Sequence, residues 1–182
     1  MREDLQELLF SEEQIQTRVK QMAKQVARDY QEKNPVVVCV LKGAVLFMAD
    51  LIRYMEIPLE TDFIAISSYG ASTKSSGVVR ILKDLDRPIE DRDVLIVEDI
   101  VDSGLTLSYL RDSLLRRNAR SVKIAAAFDK PDGRTVDITP DYSGFTVPNR
   151  FIVGYGLDYA ERYRNLPYVG VLKPSVYEKE KC

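Results

Sequence analysis

Two uninterrupted apolar runs constrain the fold of this chain more than any other feature of the sequence. Residues 35–41 read PVVVCVL and residues 93–99 read DVLIVED, and both runs are rich in β-branched side chains. Successive side chains of a strand point to opposite faces, so a strand that is apolar at every position is buried on both faces. Strands of this kind occur mainly in parallel sheets covered by helices. The runs therefore predict an α/β fold.

The segments between these runs carry helical patterns. Ser11 and Gln14 fit a capping box, and the helix that follows has one apolar stripe. Two more helices are predicted for residues 44–55 and 105–118, and further strands for residues 62–69, 78–85, 121–130, 150–157 and 168–173. Because strands alternate with helices, we expect a mostly parallel central sheet with helices on both faces.

Length and composition limit the class of protein. The 182 residues show no linker and no repeat, which predicts a single domain over residues 1–182. A formal net charge of −2 gives no global basic face for nucleic acid. No apolar run reaches the roughly 18 residues of a membrane span, and no signal peptide is recognisable. With only two cysteines, the chain is expected to be a reduced, cytoplasmic protein.

The chain contains no histidine. Ser-His and Cys-His catalysis are therefore excluded, and so is a metal held by histidine. A general base must be Asp, Glu, Lys, Tyr or Cys. Any bound metal is expected to be a hard ion held by oxygen, such as Mg²⁺.

Residues 94–107, VLIVEDIVDSGLTL, carry the strongest functional signal. Glu98, Asp99 and Asp102 follow an apolar strand, at the end of a parallel sheet where ligands bind. A small-residue turn then leads into a helix N-terminus, whose free N–H groups favour phosphate. The alternative is that Asp102 or Ser103 only caps the helix. A cap needs one acceptor rather than three carboxylates, so the pattern favours a site for a sugar phosphate with Mg²⁺.

This stretch closely resembles the phosphoribosyl pyrophosphate (PRPP) motif of the type I phosphoribosyltransferases. Other segments resemble the 6-oxopurine branch of that family, the hypoxanthine-guanine phosphoribosyltransferases: VLKGAVLFMADL (40–51), SSYG (67–70), FDKPDGR (128–134) and PNRFIVGYGLDYAERYRNLPYVGVL (148–172). The resemblance covers roughly residues 11–173. It implies the type I phosphoribosyltransferase fold with a small purine-binding hood, formed mainly by the C-terminal part of the chain.

The resemblance also implies a reaction of purine salvage. The family transfers the 5-phosphoribosyl group of PRPP to N9 of hypoxanthine or guanine, giving IMP or GMP and pyrophosphate, with Mg²⁺. On this basis Asp102 is expected to accept a proton near purine N7, and Glu98 and Asp99 to contact the ribose hydroxyls and Mg²⁺. The expected 5′-phosphate loop consists of Ser103, Gly104, Leu105 and Thr106.

Matching positions imply the remaining substrate contacts. Lys42, Gly43 and Arg164 are expected to bind pyrophosphate, while Ser68 and Tyr69 lie at the base of a flexible catalytic loop. The last group is expected at the purine and the metal: Lys130 on the 6-oxo oxygen, Phe151 stacked on the ring, Ile152 reading the base edge through its backbone, and Asp158 near the base and a second Mg²⁺. An ammonium only donates hydrogen bonds, so Lys130 would disfavour the 6-amino group of adenine.

Each assignment has an ordinary structural alternative. Lys42 could be a solvated strand-end lysine, Arg164 a surface arginine, and Phe151 and Ile152 part of the core. For the whole protein, the main alternative is a PRPP-responsive regulator that binds nucleic acid with the same fold. The negative net charge and the presence of the base-contacting residues favour the enzyme. The family commonly forms dimers and tetramers, so a homodimer or homotetramer is expected.

Overall fold

The computed structural model describes residues 1–68 and 79–178. Its strands are β1 (Leu5–Phe10), β2 (Val36–Leu41), β3 (Glu60–Ser68), β4 (Val79–Lys83), β5 (Asp93–Val101), β6 (Ser121–Asp129), β7 (Tyr142–Thr146), β8 (Ile152–Val153) and β9 (Val169–Leu172). Its α-helices are α1 (Glu12–Asp29), α2 (Val45–Arg53), α3 (Leu105–Leu115) and the short α4 (Pro174–Tyr177). Among the described residues, no helix combines the length and apolarity needed to cross a membrane.

Six strands form the central sheet in the order β4-β3-β2-β5-β6-β7. All neighbouring strands run parallel except the pair β3 and β4, which is antiparallel. The strand order reverses direction between β2 and β5, because β3 lies beyond β2 on one side and β6 lies beyond β5 on the other. In sheets of this kind the ligand crevice opens at such a reversal, beyond the carboxyl ends of the strands.

The two faces of the sheet are covered by different helices, which confirms the predicted α/β fold. Alternate residues of β2 and β5 divide between two cores, as the two-residue period of a strand requires. Val37 and Leu95 lie in the core that also contains the buried side chains of α1 and α2. Val38 and Ile96 lie in the core that contains those of α3.

A second, three-stranded antiparallel sheet has the order β1-β9-β8. We call it the hood sheet, after the small hood expected from the sequence, and two of its three strands, β8 and β9, come from the C-terminal part of the chain. The edge strand β1 comes from residues 5–10 and pairs with β9, more than 150 residues later in the chain. The N-terminal segment is therefore part of the hood.

Local patterns predicted the longer elements well and the short ones poorly. The capping box is present, with Gln14 N donating to Ser11 Oγ and Ser11 N donating to Gln14 Oε1. The predicted strand over 150–157 was too long: only Ile152–Val153 is extended, because Gly154 and Gly156 adopt positive φ angles of 104° and 97°. The predicted helix over 105–118 ends at Leu115, and β5 continues to Val101.

Candidate active site

The carboxyl ends of β2 and β5 meet at the reversal of strand order. Glu98 and Asp99 lie in the last four residues of β5, and Gly43 follows β2 after the cis Leu41–Lys42 peptide bond. A Cβ atom at position 43 would overlap a carboxylate oxygen of Asp99. Only glycine therefore lets the loop after β2 approach the acidic end of β5 this closely.

Glu98 and Asp99 share a partly buried, acidic environment. Burial raises the pKa of both carboxyl groups, and for Glu98 the neighbouring Asp99 carboxylate raises the pKa further. Among residues 1–68 and 79–178, no Lys or Arg forms an ion pair with either side chain. A divalent cation would favour the ionised form of both groups, so this pair fits a magnesium site.

The segment after β5 turns into α3 through Gly104, which has a φ angle of 81°. Gly104 is the N-cap residue and no side chain caps the helix. Ser103 Oγ lies 3.5 Å from Leu105 N, at the limit of a hydrogen bond. The structure therefore contradicts the alternative in which Asp102 or Ser103 only caps the helix. The first N–H groups of α3 remain available to an anion.

Asp102 pairs with a lysine rather than with the other carboxylates. Lys130 Nζ lies 2.8 Å from Asp102 Oδ2, and the lysine side chain is only 10% exposed. The backbone N–H of Lys130 also donates to Val101 O at 2.9 Å, so the ends of β5 and β6 are held together. A Cβ at Gly133 would overlap the other Asp102 oxygen. Asp102 therefore belongs to an ion pair with Lys130, while Glu98 and Asp99 are neighbours on β5.

A cavity of about 250 Å³ opens beside this ion pair. It is lined by Asp99, Ile100, Asp102, Lys130, Phe151, Ile152, Leu157 and Asp158. Phe151 is 40% exposed, which contradicts its core alternative, whereas Ile152 is buried and its backbone pairs with Val171 in the hood sheet. An adjoining cavity of about 140 Å³ is lined by Glu98, Ile100, Val101, Asp102, Ser103, Gly104, Thr106 and Leu107. Because Asp102 and Ile100 line both, the cavities form one cleft.

Charged side chains after β2 and β8 form a network at the edge of the cleft. Lys42 Nζ lies 3.1 Å from Glu161 Oε2, and Arg164 Nη2 lies 3.4 Å from Glu161 Oε1. Arg164 also contacts Asp158 Oδ1 at 2.9 Å and donates to Gly156 O at 2.8 Å. The second Asp158 oxygen accepts from Glu161 N at 2.9 Å. The surface alternative for Arg164 does not hold, because its side chain is 27% exposed and tied to the loop.

Glu98, Asp99 and Asp158 are the residues expected to bind Mg²⁺, and they differ in how free their carboxylates are to do so. Glu98 and Asp99 form no ion pair among the described residues, although the charge of Arg164 acts on Asp99 from a distance and favours its ionised form. Both oxygens of Asp158 are engaged, by Arg164 and the Glu161 amide. Within the described ranges no three His, Cys, Asp or Glu side chains converge on one point as a metal cage.

Part of the expected catalytic loop lies outside the described residues. Ser68 is the last residue of β3, and only its backbone is described. Tyr69 and the residues that follow it up to position 78 are outside the described ranges. The assignments of Ser68 and Tyr69 therefore stay predictions.

Sequence reasoning missed several residues that shape the cleft. Glu161 forms ion pairs with Lys42 and Arg164. Gly133 has no side chain and so leaves room for the Asp102 carboxylate. Tyr177 stacks on Phe151, with ring centroids 5.2 Å apart. Glu161 lies in the charged stretch AERYR (160–164), and Gly133 follows Lys130 by three residues. Neither local pattern shows which distant side chain the residue contacts.

Comparisons with known proteins point to one family. Residues 7–160 match the family model described as a phosphoribosyl transferase domain. The chain is 58% identical over 179 residues to a hypoxanthine-guanine phosphoribosyltransferase of Streptococcus thermophilus, an alignment that covers 98% of this chain and 99% of the relative. It is 57% identical over 178 residues to the Bacillus subtilis protein of the same name, again covering 98% and 99%.

A solved structure agrees with these relatives. The hypoxanthine phosphoribosyltransferase of Staphylococcus aureus in its tetragonal crystal form superposes with a TM-score of 0.95 at 48% identity, covering 97% of this chain and 96% of that one. The matches give no support to the regulator alternative. Sequence, fold and cleft together confirm the resemblance, and the chain belongs to the hypoxanthine-guanine phosphoribosyltransferase family.

Proposed function

We propose that this protein transfers the 5-phosphoribosyl group of PRPP to N9 of hypoxanthine or guanine, giving IMP or GMP and pyrophosphate in a Mg²⁺-dependent reaction. The observation that carries the proposal is the shared cleft at the strand reversal. It brings a carboxylate pair, a Lys–Asp ion pair and a half-exposed aromatic ring around one space of purine size. In the reaction the bond from C1′ to pyrophosphate oxygen breaks, the N9–C1′ bond forms, and the purine loses one proton.

Lys130 and Asp102 are proposed to recognise the base together. The 6-oxo oxygen and N7 are neighbours on one edge of a purine, and the ammonium and carboxylate lie 2.8 Å apart. Lys130 would donate to the oxygen while Asp102 accepts the proton from N7. Phe151 would stack on the ring, and the Ile152 backbone would read its edge. The match of this donor–acceptor pair to a 6-oxopurine supports the assignment.

Glu98 and Asp99 are proposed to hold the ribose hydroxyls of PRPP and a Mg²⁺ ion, with Asp158 near a second ion. The bound ion would neutralise negative charge on the pyrophosphate that leaves. The two carboxylates would also place negative charge near the carbon that becomes positive in the transition state. The raised pKa of each carboxyl group supports this assignment, because a bound cation would offset the burial that disfavours the ionised forms.

The phosphates are proposed to bind at two ends of the cleft. The N–H groups of the loop from Ser103 to Thr106, including those of Gly104 and Leu105, would hold the 5′-phosphate at the N-terminus of α3. Lys42, the Gly43 amide and Arg164 would hold the pyrophosphate. Arg164 Nε is buried without a hydrogen-bond partner among the described residues, and this unused donor supports an anion site. Ser68 and Tyr69 would begin the loop that covers the cleft.

The experiment is an assay of purified protein with PRPP, Mg²⁺ and a panel of bases, with nucleotide products separated by chromatography. We expect IMP from hypoxanthine or GMP from guanine, little AMP from adenine, and loss of turnover when a chelator removes Mg²⁺. Equal use of adenine would contradict the role of Lys130. No product with any 6-oxopurine would contradict the proposed function.

We further propose a cytoplasmic homodimer or homotetramer, as the family resemblance implies. Cys39 is a buried free thiol, which suits a reducing compartment. Val45 and Leu46, at the start of α2, are 38% and 40% exposed, which suits a subunit contact. Light scattering coupled to gel filtration would measure the mass, and a monomer of 20.7 kDa would contradict the oligomer.

A further inference from the structure

Phe151 and Lys130 line two neighbouring cavities. The first contains Asp102, Asp158 and the other proposed purine contacts. The second, of about 350 Å³, is lined by Gln6, Asn149, Arg150, Pro174 and Tyr177 among others. Because Tyr177 lines only the second cavity, a purine in the first cavity would reach Phe151 without displacing Tyr177.

Tyr177 covers one face of the Phe151 ring. The Phe151 and Tyr177 ring centroids are 5.2 Å apart with an interplanar angle of 23°, which is a stacked arrangement. Tyr159 meets Phe151 edge-on, with centroids 5.6 Å apart. Phe151 is 40% exposed, so without such neighbours its side chain would be free to change rotamer. Aromatic stacking fixes its plane.

The position of Tyr177 is itself set by the fold. Lys173, just before α4, donates its backbone N–H to Asp4 O at 2.9 Å, which ties α4 to the N-terminal segment. Val176 N donates to Lys173 O at 3.0 Å and closes the first turn of α4. Val176 and Tyr177 pack against a small core that contains Val153. The tyrosine ring is therefore anchored independently of Phe151.

From these contacts we propose that Tyr177 is a positioning residue for purine binding: it holds the Phe151 ring in the plane that stacks on the base. The inference rests on the proposed function and deepens it, since it adds the C-terminal segment to the base-binding site. Preorganising the ring lowers the entropy lost when the base binds. The effect should fall on the purine and leave the PRPP contacts, which lie elsewhere in the cleft, unchanged.

The test compares Tyr177→Leu with Tyr177→Phe. Stacked aromatic pairs contribute about 0.5–1.5 kcal/mol, so we expect Tyr177→Leu to raise the KM for hypoxanthine about two- to tenfold. The KM for PRPP and kcat should change by less than about twofold, within the range of a surface substitution. Tyr177→Phe keeps the stacked ring and should retain the wild-type KM for hypoxanthine.

A matched control separates positioning from stability. Leu5→Ala, on β1, removes an apolar contact with the same small core outside α4 and outside the Phe151 stack, so it should lower the melting temperature but leave the KM for hypoxanthine unchanged. A second check uses Phe151→Leu as background, in which Tyr177→Leu should add no further change in that KM.

Three results would overturn the inference while leaving the proposed function intact. One is an unchanged KM for hypoxanthine in Tyr177→Leu. Another is a lowered KM, which would mean that Tyr177 covers the face that the purine uses. The third is an equal rise in the KM for hypoxanthine in Leu5→Ala, which would mean a general loosening of the hood. Failure of the wild-type protein to form IMP or GMP would overturn both the function and the inference.

Discussion

The ion pair between Asp102 and Lys130 is the smallest unit that distinguishes this cleft from a general phosphate site. It joins the end of β5 to the end of β6 and faces the purine-sized cavity. The sequence predicted both residues from the resemblance, but their direct contact came only with the structure. No local pattern reports it, because the two positions are 28 residues apart along the chain.

We expect Asp102→Asn to reduce kcat by about 10²–10⁴-fold, the usual contribution of a general base. Asparagine keeps the shape of the side chain and can still contact Lys130, but it cannot take up a proton. Steady-state assays of IMP formation would measure the effect, with circular dichroism as the control for folding. Turnover within twofold of wild type would remove Asp102 from the proton-accepting role.

Gly133→Ala should displace the carboxylate of Asp102. The new Cβ would overlap Asp102 Oδ1, so the carboxylate would have to rotate, which would disturb its contact with Lys130. A displacement of this size at a reacting group can cost about 10²-fold in rate, so we expect a comparable fall in kcat. In the Asp102→Asn background the same substitution should have a much smaller effect on kcat, because the displaced proton acceptor is already absent. Additive effects of the two substitutions would contradict this account.

At the scale of elements, the loop after β8 organises the proposed pyrophosphate site. Ala160, Glu161 and Tyr163 adopt positive φ angles of 51°, 61° and 76°, which are unusual for residues with side chains. This conformation turns Glu161 toward Lys42 and Arg164. The Lys42 and Arg164 contacts lower the pKa of Glu161, so its carboxylate is ionised and competes with an incoming anion.

Glu161→Gln should therefore lower the apparent KM for PRPP. Exposed ion pairs contribute about 0.2–1 kcal/mol, which corresponds to a change of up to about fivefold. Glu13→Gln, at an exposed position on α1, makes the same change in net charge away from the cleft and serves as the control. A raised KM for PRPP in Glu161→Gln alone would show instead that Glu161 helps to position the two cations.

The sequence did not predict strands β1 and β7, and the physical reason is the same for both. β1 has no buried residue and β7 has only one, and β1 gains its order from pairing with the distant β9. The β1 segment LQELLF carries an exposed acid, and the β7 segment YSGFT carries a glycine, so neither has a strong strand pattern. By contrast, β2 and β5 are buried on both faces, and their composition alone predicts them.

At the scale of the whole molecule, the acidic cleft opposes stability. The folded state buries Glu98 and Asp99 and raises the pKa of each above its ordinary value. At a pH below the ordinary pKa, both carboxyl groups are protonated in the folded and the unfolded state, so their burial does not lower the free energy of unfolding. As pH rises above that pKa, the unfolded chain loses protons first, so the free energy of unfolding falls toward neutral pH. Such a cost is common where a site is shaped for a ligand.

Glu98→Gln should therefore raise the melting temperature at neutral pH while reducing PRPP turnover. The difference in melting temperature between variant and wild type should shrink as pH falls toward the ordinary pKa of a carboxyl group, about 4. Thermal unfolding between about pH 4 and pH 8 would measure it. A variant that is less stable than wild type across this range would show that Glu98 stabilises the empty protein.

A crystal structure of this protein with IMP, pyrophosphate and Mg²⁺ would test the proposed cleft at once. We expect the 6-oxo oxygen within hydrogen-bond distance of Lys130 Nζ, N7 facing Asp102, and the base stacked on Phe151. We also expect a metal ion or the ribose hydroxyls at Glu98 and Asp99. Electron density for the nucleotide anywhere other than this cleft, or with its base turned away from Lys130, would contradict the proposal.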